Sequence, residues 1–288
     1  MTAVAQLEGS VRPRSAPRFV HGGIAFDFLC GPGVDFHVTA EHERFSAPFS
    51  AGPVAASIRV AVAALRYDVP TGREIDGRWA DGLATLRSRG VRAEMREIGR
   101  GRFVASALVE PGPIGCTALA TALAGAALER VGGLILHASA VEVDDGAVLF
   151  VGPSTAGKTT AANLCRGARA FAKDRAAIYP TANGWYAAPM WGGASEIELP
   201  WSARRVLPLH AILRIAKDDT PAVHDAGPAR AVGILRESAQ VIRHGALEEG
   251  ALLEQLVRMS SEVRVGVART VLGQPMLPVL REWLEAGG

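Results

Sequence analysis

The chain has 288 residues, enough for one large domain or two modest ones. Its 49% hydrophobic and 21% charged residues are an ordinary globular balance, which excludes a disordered or fibrous chain, and a formal charge of +2 is too small to imply a nucleic-acid partner. The longest apolar run, residues 117–128, is short for a bilayer span and meets Glu129 and Arg130 at once, so no membrane association is expected. The first residues, MTAVAQLEGSVRPR, lack the apolar core of a secretion signal. Cys30, Cys116 and Cys165 are widely spaced, fit no metal-ligand pattern and read as reduced thiols of a cytoplasmic protein. Of the 31 basic residues only Lys158, Lys173 and Lys217 are lysine. Where lysine survives in so arginine-rich a chain, chemistry can require it, because the two cations are not interchangeable at tight sites.

Residues 1–18 carry Arg, Pro and Ser and read as a loose leader. Residues 19–112 are expected to form a smaller α+β part. Strands are expected at 19–29, 57–65, 91–98 and 103–109, a helix at 76–88, and a turn at Gly99-Arg100-Gly101. Pro111-Gly112-Pro113 is the expected boundary, leaving 113–288 as the second domain. There, residues 117–131 form an Ala/Leu-rich helix, and 134–143 and 147–151 form two strands. The turn between them, Asp144-Asp145-Gly146, is too short for a crossover, so the pair must be antiparallel. A helix follows to about residue 166. Strands at 176–179 and 185–188 flank the hairpin signal Asn183-Gly184, a strand lies at 211–215, and helices at about 230–243, 247–259 and 277–284 close the chain. The fold class is therefore α/β: a mixed sheet with an antiparallel hairpin entering a phosphate loop, flanked by helices, plus the smaller N-terminal part.

That loop is Gly152-Pro153-Ser154-Thr155-Ala156-Gly157-Lys158-Thr159, followed by Thr160. It matches the Gly-x4-Gly-Lys-Ser/Thr pattern between a strand and a helix, the context the pattern requires. The glycines permit backbone turns that aim consecutive N–H groups inward, and the helix start adds partial positive charge. In such a loop Lys158 reaches the β- and γ-phosphates, and the Thr159 hydroxyl ligates Mg²⁺. The competing reading, a chance match in a glycine-rich chain, is weakened by the strand–loop–helix context. The expected cofactors are ATP and Mg²⁺.

A phosphate loop alone names no reaction. Leu136-His137-Ala138-Ser139-Ala140-Val141, the Asp145-Gly146 turn and residues 148–152 together resemble the HPr kinase-like branch, whose nucleotide site is shared with phosphoenolpyruvate carboxykinases. Phe171-Ala172-Lys173-Asp174-Arg175 sits where that family has an apolar strand ending in an Asp-Asp pair. Pro189-Met190-Trp191-Gly192 and Leu207-Pro208-Leu209-His210-Ala211-Ile212-Leu213 resemble further family segments. The likeness covers roughly residues 117–288; residues 19–112 share no nameable motif.

The resemblance implies an ATP-dependent phosphotransferase that passes a γ-phosphoryl group to a hydroxyl of a protein, a peptide or a small alcohol. It places His137 beside the γ-phosphate, although on periodicity alone a core histidine is the simpler reading. It makes Asp174 a Mg²⁺ ligand together with Thr159. Asp218-Asp219, after the strand at 211–215, is the competing acid by pattern. The expected catalytic set is His137, Lys158 and Asp174. Lys173 stands where the family has the carboxylate that accepts the substrate proton. It is read as a phosphate-neutralising group, as a base made competent by burial, as drift at an exposed strand end, or as the mark of a catalytically weak nucleotide-binding regulatory module. Glu196-Ile197-Glu198-Leu199 only superficially echoes the signature of authentic HPr kinase/phosphorylases, so HPr is not the expected substrate. Arg204-Arg205 reads as a solvated pair, and a homo-oligomer is left open.

Overall fold

A computed structural model describes residues 14–15, 19–30, 46–48, 53–64, 76–88, 90–110, 113–190, 197–204, 206–240 and 249–287. It is mixed α/β, with two mixed sheets flanked by few helices. The chain divides into two compact units: residues 1–133 together with 241–248, and the remainder, 134–240 and 249–288. The expected positions Pro111, Gly112, Trp191, Gly192, Glu196 and Arg205, and nearly all of the leader, lie outside the described residues. Among the described residues no helix is long and apolar enough to cross a membrane.

The first unit is a nine-stranded sheet. Its strands are β1 (Arg14–Ser15), β2 (Phe19–His21), β3 (Ile24–Cys30), β4 (Ser46–Pro48), β5 (Ala56–Ala64), β6 (Asp76–Ala80), β7 (Leu83–Ser88), β8 (Val91–Gly99) and β9 (Arg102–Val109). The order is β4-β2-β3-β5-β9-β8-β7-β6, with β1 beside β3. β5 runs parallel to both β3 and β9, and the other pairs are antiparallel. Two expectations need correction. The run 19–29 is not one strand, because Gly22 and Gly23 both take positive φ and fold it into the β2–β3 hairpin. The segment 76–88 is not a helix: Asp81 and Gly82, at φ 51° and 74°, make the two-residue turn between β6 and β7. Alternation along β8 and β9 buries Val91, Ala93, Met95, Phe103, Ala105 and Ala107 on one face. Helix α1 (Pro113–Arg130) packs against β7, β8 and β9 of this sheet.

The second unit holds β10 (Leu134–Val143), β11 (Gly146–Val151), β12 (Arg169–Ala172), β13 (Arg175–Thr181), β14 (Gly184–Pro189), β15 (Leu207–Lys217), β16 (Ala222–Asp225) and β17 (Arg264–Thr270). Its helices are α2 (Lys158–Leu164), α3 (Pro228–Ser238), α4 (Glu249–Glu262) and α5 (Leu277–Glu285). As expected, β10 and β11 are antiparallel across a tight turn, where Asp144 and Asp145 both adopt positive φ. β11 also pairs in parallel with β15, and β15 reaches back through β14 and β13 to β10. The pairings of these five strands therefore close into a ring. Strands β16 and β17, four and seven residues long, extend the sheet beyond β15.

Every residue of β11 is buried, which explains its uninterrupted apolar sequence. Ala147, Leu149 and Val151 face a core completed by Ala231, Ile234 and Leu235 of α3 and by Leu256 and Met259 of α4. Val148 and Phe150 face the opposite core, with Ala161 and Ala162 of α2 and Leu280 and Trp283 of α5. The strand that feeds the phosphate loop is thus clamped on both faces and along both edges.

Gly266 in β17 shows how closely this unit packs. A methyl group there would lie 2.6 Å from the backbone oxygen of His224 on β16 and 3.0 Å from Leu213 on β15. Gly266→Ala is expected to destabilise the chain by about 1–3 kcal/mol through overpacking. Gly233→Ala, in open space on α3, is expected to stabilise it by about 0.5–1 kcal/mol through helix propensity. Urea unfolding of both variants checks this; equal effects would show that β16 and β17 are not packed as described.

Candidate functional site

Residues 152–157 connect β11 to α2. Gly152 has φ 147° and Gly157 φ 98°, so both glycines occupy backbone regions that L-residues avoid. Thr155 also has positive φ, at 67°, a strained conformation for a β-branched residue and one typical of ligand-holding loops. The loop closes on itself through a hydrogen bond from the Ala156 N–H to the Pro153 carbonyl, at 3.2 Å. The buried Lys158 ammonium donates to the carbonyls of Gly152 at 3.1 Å and Pro153 at 3.0 Å. Burial lowers the Lys158 pKa from its ordinary value, and the nearby Asp174 carboxylate opposes that shift.

His137 reaches the loop through strand register. The β10–β11 ladder ends at the pair Ala138 and Val151, so His137 and Gly152 are the residues next to its last pair. On its other side His137 pairs with Arg175 of β13. Alternation puts His137 on the face of β10 that carries Val141 and Val143, the face covered by α2.

Asp174 arrives by a different device. β12 and β13 both run antiparallel to β10, and between them the chain bends at Lys173 and Asp174. The backbone stays tied to β10 across the bend. The Ala138 N–H donates to the Asp174 carbonyl at 3.0 Å, and the buried Ser139 hydroxyl donates to the Lys173 carbonyl at 2.8 Å. In a regular ladder the Asp174 side chain would share the face of Ala138, away from His137. The bend instead sets its Oδ1 3.3 Å from His137 Nδ1 and its Oδ2 3.7 Å from Arg175 Nε.

The structure therefore brings together His137, Lys158 and Asp174 of the expected set. It does not bring in the competing acid. Asp218 and Asp219 lie exposed beyond the end of β15, where Asp218 forms an ion pair with Arg269 at 3.1 Å. Of the expected surface pair, Arg204 binds Asp145 at 2.7 Å and approaches Glu142 at 3.5 Å. Two residues at this site were not singled out from sequence. One is Ser139, whose hydroxyl ties down the bend. The other is Arg175, whose only sequence signal was its place after the Lys-Asp pair.

Burial pushes the His137 pKa below its ordinary value of 6.5; Asp174 acts in the opposite direction, while Lys158 and Arg175 add to the depression. The site thus holds a neutral imidazole among two cations and one carboxylate. Among the described residues no cluster of three or more His, Cys, Asp or Glu forms a ready-made metal cage. Thr159, in the first turn of α2, and Asp174 are the oxygen donors that would hold a hard cation, a sparse set of the kind Mg²⁺ uses when phosphates and water complete its shell.

The family described as SynChlorMet cassette protein ScmC matches residues 118–271, just over half of the chain. No curated protein matches. Among solved structures, the HPr(Ser) kinase/phosphatase from Coxiella burnetii is similar at 13% identity, over 53% of this chain and 88% of that one, with a TM-score of 0.30. A score this low leaves the reading of the site to rest on the chain's own geometry.

A depressed His137 pKa has a definite sign. Folding disfavours the imidazolium, so this histidine makes the folded state less stable as pH falls through about 6.5, its ordinary value. An NMR titration should place its midpoint below that value, and Asp174→Asn should lower it further by removing the carboxylate that favours the charged ring. A midpoint that rises in Asp174→Asn would contradict the arrangement.

Proposed function

The chain belongs to the SynChlorMet cassette protein ScmC family, and from the geometry of its loop we propose that it is an ATP-dependent phosphotransferase acting on a hydroxyl. The observation that carries this reading is the convergence of His137, Lys158 and Asp174 on the loop that begins at Gly152. The backbone N–H groups of the loop between Gly152 and Thr160, which Pro153 alone lacks, and the Lys158 ammonium supply positive charge where a triphosphate is held and where charge grows as its terminal bond breaks. Thr159 and Asp174 would hold Mg²⁺, which when bound neutralises phosphate charge. With Nδ1 turned to Asp174, Nε2 of the neutral His137 is the nitrogen left to take up the proton of an attacking hydroxyl. In the transfer the hydroxyl oxygen forms a bond to the γ-phosphorus and the bond to the bridging oxygen breaks. ADP leaves, and the hydroxyl proton goes to the histidine. The acceptor class is a protein or peptide Ser/Thr side chain or a small alcohol, and the reading places the reaction in the cytoplasm.

One observation favours a second reading, a catalytically weak nucleotide-binding regulatory module. The bend carries Lys173 next to Asp174, so that position offers a cation where a two-carboxylate site would offer a base.

Three variants test these readings. Lys158→Ala should abolish the ATP-induced rise in melting temperature, because a ligand stabilises only the state that binds it. Asp174→Asn should weaken Mg²⁺-dependent ATP binding, whereas the double change Asp218→Asn with Asp219→Asn should leave it intact. An unchanged ATP shift in Lys158→Ala would remove the phosphate loop from the reading. Lys173→Asp separates the two functions. An active kinase should retain or gain transfer, and a weak module should bind ATP without turnover in the wild type and recover hydrolysis in the variant. If Lys173 instead neutralises phosphate charge, the variant should lose ATP affinity by about 1–4 kcal/mol, the value of one charge at about 4 Å across plausible dielectrics.

A further inference from the structure

The residue that the sequence left without a role at this site is Arg175. It is the direct antiparallel partner of His137, so the two side chains leave the same face of the sheet. His137 and Gly152 adjoin the last pair of the β10–β11 ladder, so Arg175 and His137 form a row across two strands at the end of the ladder where the loop begins. Arg175 therefore flanks the histidine on the side away from the loop, while Lys158 sits within the loop itself.

The Arg175 guanidinium keeps its Nε–H open. Its Nε is buried without a hydrogen-bond partner among the described residues, and the nearby Asp174 Oδ2 lies 3.7 Å away, beyond hydrogen-bond length. A buried guanidinium N–H left open is costly, and charged donors are normally satisfied. The remainder of the side chain is about a third exposed, so a ligand can reach it. Asp174 already faces His137 with its other oxygen, and one carboxylate cannot balance both Arg175 and Lys158. The row thus carries surplus positive charge and an unfilled donor, beside a histidine that stays neutral. The planar fork of an arginine matches a phosphate through two parallel N–H···O bonds, which a lysine cannot make.

We propose that Arg175 takes the terminal phosphate of the bound nucleotide, making this loop selective for a triphosphate over a diphosphate. The proposal rests on the nucleotide reading above and adds to it a residue that touches the transferred group. Lys158 and the loop amides hold the phosphates that ATP and ADP share. Arg175, one strand beyond His137, is reached only by the phosphate that ADP lacks.

Calorimetric titration of the full chain with Mg·ATP and with Mg·ADP tests this, using wild type, Arg175→Gln, Arg175→Lys and Lys158→Ala. Arg175→Gln should weaken ATP binding about tenfold or more, the value of a charge-assisted pair, and leave ADP binding unchanged. Arg175→Lys should lose part of that factor, because it keeps the charge and loses the fork. Lys158→Ala should lose both nucleotides. Equal losses of ATP and ADP in Arg175→Gln would assign Arg175 a structural role, and no loss of either in a variant that melts like wild type would show that it points elsewhere. Either result overturns the proposal while leaving the nucleotide reading intact. A wild type that binds neither nucleotide defeats that reading, and the proposal with it.

Discussion

The register of β10 against β11 is the constraint on which the site depends. Asp144 and Asp145, both at positive φ, fix a two-residue turn, and the ladder that follows sets Ala138 opposite Val151. A slip of one residue would turn the apolar set of β10 toward the wrong core and carry His137 away from the end of the ladder where the loop begins. The slip is resisted from all sides, because β11 is buried on both faces and has β10 and β15 along its edges. Side-chain packing far from the loop therefore decides which residue of β10 lies where the loop begins.

Electrostatics then sets what that juxtaposition can do. Lys158 is buried yet tied to two carbonyls, which keep its ammonium at the mouth of the loop. Asp174 supplies a single negative charge shared among a histidine, a lysine and an arginine. Such an imbalance attracts an anion, and burial together with the two cations discourages a second proton on His137. The Lys173-Asp174 bend is the pivot. Ser139 and the Ala138 amide hold its backbone, so the carboxylate can leave the face that regular alternation would give it.

Much of this could be read from the amino acids alone, for identifiable reasons. The β10–β11 hairpin and the phosphate loop were legible because they combine strong turn chemistry with continuous apolar runs. Residues 76–88 look helical in sequence because Trp79, Leu83 and Leu86 recur at i, i+4 and i+7, and the Asp81-Gly82 turn overrides that spacing. β16 and β17 are hard to read in sequence because one is four residues long and the other carries Gly266 as its third residue. His137, Lys158 and Asp174 were nominated by motif and resemblance. The meeting of His137 with Asp174 was not readable from alternation, which would have sent that carboxylate to the opposite face. Arg175 stayed hidden because its importance lies in a pairing partner 38 positions earlier in the chain.

The ring of five strands has a kinetic corollary. Val148 of β11 finds its parallel partner, Ala211 of β15, across more than sixty intervening positions, and between them lie the bend and the whole β13–β14 hairpin. Closing so long a loop is entropically expensive until its contacts form together, and parallel pairing offers no local shortcut. The β10–β11 hairpin can form early from neighbouring residues, but the strand that presents the phosphate loop gains its second edge only when β15 docks. The shape of the loop is thus among the last features this unit acquires as it folds, and a nascent chain that has not yet emerged past β15 would carry the loop's sequence without that shape.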